Sequence, residues 1–191
     1  MRKLYFSVLI LFTCLFFNSA YAQPRKGEFI SVNAGLGLVA PDDDSDITGD
    51  GFYAQAEYVW SPTSWFGVRP YAGLVIASGE SDEEDIAQTG VKEYIRSNAL
   101  MLGGKVRLAA PIPYVAPFFE TGVGMSIGSF RTYTQYTHLK KSGALLHIPV
   151  SFGLAIGRKH STEIKFTYYF QEAPEQFSGA FAVGFTIPLN E

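Results

Sequence analysis

The sequence predicts an all-β fold, an eight-stranded antiparallel up-and-down transmembrane β-barrel, on three observations. Eight segments carry large apolar residues at every second position. The connections between them tend to alternate between short turns and long polar loops. The opposite parity holds mostly Gly, Ala and Ser, which makes a poor solvent face but suits a narrow lumen. Charged residues are only 17% of the chain, and no apolar run beyond the N-terminal region reaches the length of a membrane helix. In lipid only helices and closed barrels satisfy every backbone group, so a barrel is the remaining way across.

The chain starts with an export signature. Arg2 and Lys3 precede an apolar run over residues 4–17, and Ala20-Tyr21-Ala22 supplies a small-x-small cleavage pattern. Residues 1–22 are read as a cleaved signal peptide and residues 23–191 as one outer-membrane β-barrel domain. The single cysteine, Cys14, falls inside the signal; apolar residues continue past it, against a lipoprotein acylation site. The mature chain thus has no disulfide. Loss of Arg2 and Lys3 moves the net charge from −3 to −5, which argues against a nucleic-acid partner.

The eight segments are residues 29–39, 52–60, 66–77, 95–109, 115–127, 145–156, 162–170 and 177–189. Each has about the 9–11 residues that a tilted membrane strand needs. In the first, Ile30, Val32, Leu36 and Leu38 oppose Ser31, Asn33, Gly35 and Gly37; in the third, Val68, Leu74 and Ile76 oppose Arg69, Tyr71 and Gly73. In the fifth, Val115, Phe119, Val123 and Ile127 oppose Phe118, Glu120, Gly122 and Gly124. The last sets Phe181, Val183, Phe185 and Ile187 against Ala180, Ala182 and Gly184. The large apolar parity is expected to face lipid. Short turns lie at residues 61–64, 110–113 and 157–161 and are assigned to the periplasm. The loops "PDDDSDITGD", "SGESDEEDIAQTGVKEY" and "SFRTYTQYTHLKKSG" are assigned to the cell exterior. Trp60, Trp65 and Phe66 at one end, and Phe170 and Phe177 at the other, suit interfacial girdles.

Seven charged residues fall on the inward parity: Glu57, Arg69, Lys105, Arg107, Glu120, Glu163 and Lys165. Three acids against four bases make a near-neutral set, and counting from the short turns places most of them in the periplasmic half. A Glu57–Arg69 pair is expected across the 61–64 turn, with Glu120 reaching Lys105 or Arg107. Buried charges persist only when paired, so the set reads as a structural ionic core plugging the lumen.

Other chemistry is thin. Asp42, Asp44 and Asp46 alternate like a calcium loop, but Ile47 stands where the turn glycine belongs and Tyr53 where the bidentate glutamate belongs, so they are weak metal candidates. Together with Glu80, Asp82, Glu83, Glu84 and Asp85 they could share divalent cations with lipopolysaccharide. Arg131, Tyr133, Tyr136, His138, Lys140 and Lys141 form a basic, aromatic loop. His160 and Ser161 are adjacent, so in a strand they would face opposite ways. His147 points inward with Ser151 four residues on and no evident carboxylate. No catalytic residue, cofactor or metal site is assigned.

The motifs "VRPYAGLVIA", "VAPFFETGVGMSIG", "IPVSFGLAIG", "TEIKFTYYF" and "FAVGFTIPL" resemble strands of small eight-stranded outer-membrane proteins of the OmpA/OmpX-like group. The resemblance covers essentially the whole mature chain. It implies a monomer in a Gram-negative outer membrane, in contact with outer-membrane lipid and lipopolysaccharide and inserted by the outer-membrane assembly machinery. It also implies a non-enzymatic role in envelope integrity or loop-mediated adhesion and recognition. The alternative is a lipid A-modifying enzyme of deacylase or acyltransferase type. Chains of that group often end on an aromatic residue; here Phe185 or Phe181 would replace that signal.

Overall fold

The computed structural model describes residues 24–43, 45, 47–83, 86, 90–171 and 176–189. The signal-peptide reading of residues 1–22 lies outside them. Eight strands follow in order: β1 (Gly27–Pro41), β2 (Gly49–Ser61), β3 (Phe66–Glu80), β4 (Tyr94–Ala109), β5 (Val115–Tyr133), β6 (His138–Ile156), β7 (Thr162–Phe170) and β8 (Gln176–Pro188). Each pairs antiparallel with its sequence neighbours, and β8 returns to β1 to close the barrel.

Alternation dictates what each wall position meets. On β8, Phe181, Val183, Phe185 and Ile187 are exposed while Ser178, Ala180 and Ala182 are buried. Around the whole wall Val32, Leu36, Phe52, Ile76, Leu100, Phe152 and Phe166 make an apolar outer belt. A water-facing barrel would bury such side chains, because each exposed one forgoes about 1.5–3 kcal/mol. A belt this continuous belongs against hydrocarbon.

The ends differ in construction. At the short-turn end Phe66 N–H bonds Thr63 Oγ1 at 3.1 Å. There too Tyr114 and His160 hold positive φ (65° and 51°), uncommon for side-chain-bearing residues. His160 Nε2 lies 3.1 Å from the Ile112 carbonyl, joining two neighbouring turns. His160 is therefore part of a turn.

At the other end the strands run further than their alternation indicates. β5 and β6 continue to Tyr133 and from His138, so most of "SFRTYTQYTHLKKSG" is hairpin, and the turn itself is only residues 134–137. Arg131, Tyr133, His138, Lys140 and Lys141 are strand residues, not loop residues. Tyr133 stacks on Tyr94 (5.4 Å) and meets the His138 ring at 4.1 Å.

Candidate functional site

The lumen is filled in layers. Nearest the short turns lies the ionic layer, and strand register explains its order. Arg69 on β3 sits directly opposite Lys105 on β4, a repulsive pairing by itself. Glu57 on β2 resolves it, accepting from Arg69 Nη1 (2.8 Å), Lys105 Nζ (2.9 Å) and Lys165 Nζ. Arg107 on β4 faces Glu120 on β5 in register. Its Nε donates to Glu120 Oε1 (2.6 Å), and its Nη1 crosses to Glu163 Oε2 on β7 (2.7 Å). Lys105 also donates to Glu120 Oε2 at 2.8 Å. The structure thus brings all seven inward charges into one network, none of them more than 7% exposed. The Arg107 guanidinium also lies over the Phe118 ring at 3.5 Å.

Glycine makes room for these long side chains. Gly153 pairs with Lys165, and a Cβ there would come 2.4 Å from the Phe118 ring and 2.9 Å from Lys165 Cβ. Polar residues finish the layer: Gln55 Nε2 donates to Glu57 Oε1 at 2.6 Å, and Ser151 Oγ pairs with Thr167 Oγ1 at 2.9 Å.

Above this lies an aromatic polar layer that sequence reasoning did not find. Tyr53 and Tyr169 both donate to Gln55 Oε1 (2.9 and 3.1 Å). The His147 ring is held between Ser126 Oγ on Nδ1 (2.7 Å) and Tyr71 OH on Nε2 (2.5 Å). Ser151, four residues from His147, belongs to the Thr167 pair instead. Among the described residues no carboxylate hydrogen-bonds His147. The signal for the Ser126–His147 contact was register: Gly124 pairs with His147, and Ser126 lies two residues along the same face. Toward the long loops the interior becomes apolar, with Val39, Val75, Ile95, Met101 and Phe130 nearly fully buried.

The long-loop end is tied to the β5–β6 hairpin by acids. Asp43 accepts from Ser45 Oγ (2.5 Å) and from Thr134 Oγ1 (2.6 Å). Partial burial opposes its charge, but these hydrogen bonds prevail and hold its carboxyl below the ordinary range. Glu93 Oε1 accepts from Gln135 N–H at 2.8 Å. Asp42 is exposed, while Asp44 and Asp46, like Glu84 and Asp85, lie outside the described residues. Among the described residues no group of three or more His, Cys, Asp or Glu is placed to hold a metal ion.

No protein-family model and no curated protein matches the chain. Solved structures do. Neisserial surface protein A is 8% identical with a TM-score of 0.55, covering 86% of this chain and 98% of its own. OprG, an outer membrane protein from Pseudomonas aeruginosa, is 8% identical with a TM-score of 0.52 over 87% of this chain and 99% of its own. The outer membrane enzyme PagL is 13% identical with a TM-score of 0.44 over 84% of this chain and 99% of its own. At such identities likeness speaks of fold alone, and the fold is that of the small eight-stranded outer-membrane β-barrels.

Proposed function

We propose that the chain is a non-enzymatic, monomeric integral protein of a Gram-negative outer membrane, exported by residues 1–22. It contributes to envelope integrity and offers its long-loop end to lipopolysaccharide or a surface partner. The observation that carries this reading is the ionic layer: seven buried charges from five strands fill the lumen of a barrel whose outer belt is apolar. Eight strands enclose little more than side chains, and here those side chains are locked together. Purified protein inserted in planar bilayers should give no conductance steps, and unboiled samples should migrate differently from boiled ones. Steady ion conductance would overturn the plug.

One observation favours a second reading, the lipid-modifying enzyme: Ser126 Oγ lies 2.7 Å from His147 Nδ1. A serine nucleophile needs a base, and the base needs an orienting group. Tyr71 holds the second ring nitrogen, where a carboxylate would stabilise the imidazolium, and Ser126 is fully buried. Mass spectrometry of lipid A from cells with and without the gene decides between the two readings. A missing or transferred acyl chain would establish the enzyme.

A further inference from the structure

The ionic layer stops short of the short turns. Two residues beyond Arg69 and Arg107, on the same inward parity, stand Gly67 on β3 and Ala109 on β4. Ala155, opposite Glu163, is the matching inward residue of β6. Such small residues cannot fill the lumen, and a cavity of about 60 Å³ remains between the layer and the turns. That is several times the roughly 10–15 Å³ that one water needs. It has room for a small ion but not for a sugar or an acyl chain.

Its charged lining is of one sign. Arg69 and Arg107 line its inner side, and Arg25 and Lys159, both exposed, line it at the turns. Among the described residues that line the cavity there is no Asp or Glu. Glu28, near the start of β1, lies on the outward parity. Ser61, Thr63 and Ser64 of the first turn bring hydroxyls to the lining. Thr63 Oγ1 accepts from Phe66 N–H, which leaves its O–H to donate. A second cavity of about 80 Å³ is also bordered by Arg25 and Lys159.

The charge beneath the cavity points to what enters. Four buried bases against three buried acids leave the ionic layer one formal positive charge in excess. A buried charge without its counter-charge is costly. A cleft lined by one sign of charge, with low-dielectric walls, also concentrates counter-ions. The three acids are already shared among the four bases, so the missing negative charge has to come from outside. The cavity is the open space beside the layer on its turn side. Direct contact falls to exposed groups there, while Arg69 and Arg107 act through their field.

We propose that the short-turn mouth of the barrel binds one small oxyanion of the phosphate or sulfate type. Arg25, Lys159 and the hydroxyls of the first turn hold it above the guanidinium groups of Arg69 and Arg107. The anion completes the neutrality of the ionic layer from its solvent side. This goes beyond the plug described above, which needs no ligand.

The protein is expressed with its export signal, purified from the membrane fraction in dodecyl maltoside, and titrated with sodium phosphate by calorimetry. Sodium chloride of equal ionic strength is the control, and a second arm adds phosphatidylglycerol to the micelles in place of phosphate. Trp65 lines the cavity, so its emission gives an independent readout. Saturable uptake of one phosphate per chain is expected, with a rise in the urea midpoint. Lys159→Glu and Arg25→Glu should each weaken uptake about tenfold. Arg158→Glu, exposed in the same turn as Lys159 but outside the lining, should change it by no more than about twofold. Ala109→Leu fills the cavity and should abolish uptake while unboiled gel migration stays as in the parent. Heat that follows ionic strength alone, or equal losses from Arg158→Glu and Lys159→Glu, overturns the site. So does uptake that survives both Lys159→Glu and Arg25→Glu. A response to phosphatidylglycerol without one to inorganic phosphate overturns the free-ion source. A chain absent from the membrane fraction overturns the membrane reading, and the same titration on the soluble chain still decides the anion site.

Discussion

The two halves of the lumen fill the same width with opposite chemistry. Near the short turns, Glu57, Glu120 and Glu163 interleave with four cations, and each acid serves at least two of them. Toward the long loops, Val39, Val75, Ile95, Met101 and Phe130 pack without charge. An apolar layer loses one neighbour's contacts when a side chain is trimmed. An ionic layer loses its neutrality, because the partners left behind remain charged and dry. The ionic half should therefore behave as one unit and the apolar half as a sum of parts.

That contrast can be broken in a ranked series of variants, followed by urea unfolding in detergent micelles. Glu57→Leu removes the shortest ion pairs of Arg69 and Lys165 and leaves Lys105 with Glu120, and should cost about 5 kcal/mol, the top of the range for breaking buried pairs. Glu120→Gln should cost about 3 kcal/mol, since Lys105 keeps Glu57 and Arg107 keeps Glu163. Equal stability of this variant and the parent would remove Glu120 from the core. Met101→Ala, in the apolar half, should cost about 2 kcal/mol through its cavity alone. If Met101→Ala proved as damaging as Glu57→Leu, the division of the lumen would fail.

The smallest effect lies outside the membrane. The Asp43 carboxyl titrates below its ordinary range, so the folded state binds a proton there less readily than the unfolded chain does. Its contribution is present in full above the ordinary carboxylate range and is lost as pH falls through the depressed value. Hydrogen exchange at residues 134–137 should therefore quicken only in acid. Asp43→Asn should remove that acid step and leave residues 134–137 exchanging at neutral pH as fast as the parent does in acid.

Much of the fold was legible because strand parity is a local property: Phe181 and Ala182 face opposite ways whatever surrounds them. Counting from the short turns gathers most of the seven charges in one half of the barrel, with Glu57 and Arg69 flanking the 61–64 turn and Glu120 within reach of Lys105 or Arg107. The contacts of Glu163 with Arg107 and of Lys165 with Glu57 were not legible, since they span 56 and 108 residues across the closed lumen. The aromatic polar layer was hidden for another reason. The polar segment from Ser129 to Gly143 has the composition of a loop, yet it forms a two-stranded ribbon whose Phe130 and Thr132 turn inward. Without that register, Ser126 and His147 have no reason to meet.

The pairing of β1 with β8 carries a consequence for how the molecule is made. Every other strand pair joins neighbours in sequence and can form as a hairpin with little loop-closure cost. β1 and β8 lie at opposite ends of the barrel sequence, and no hairpin can bring them together early. Until they join, an open sheet would carry Lys105, Arg107 and Lys165 into hydrocarbon without the full set of acids around them. Insertion and ring closure are thus expected to be a single concerted event, in which charge neutralisation rewards only the finished cylinder.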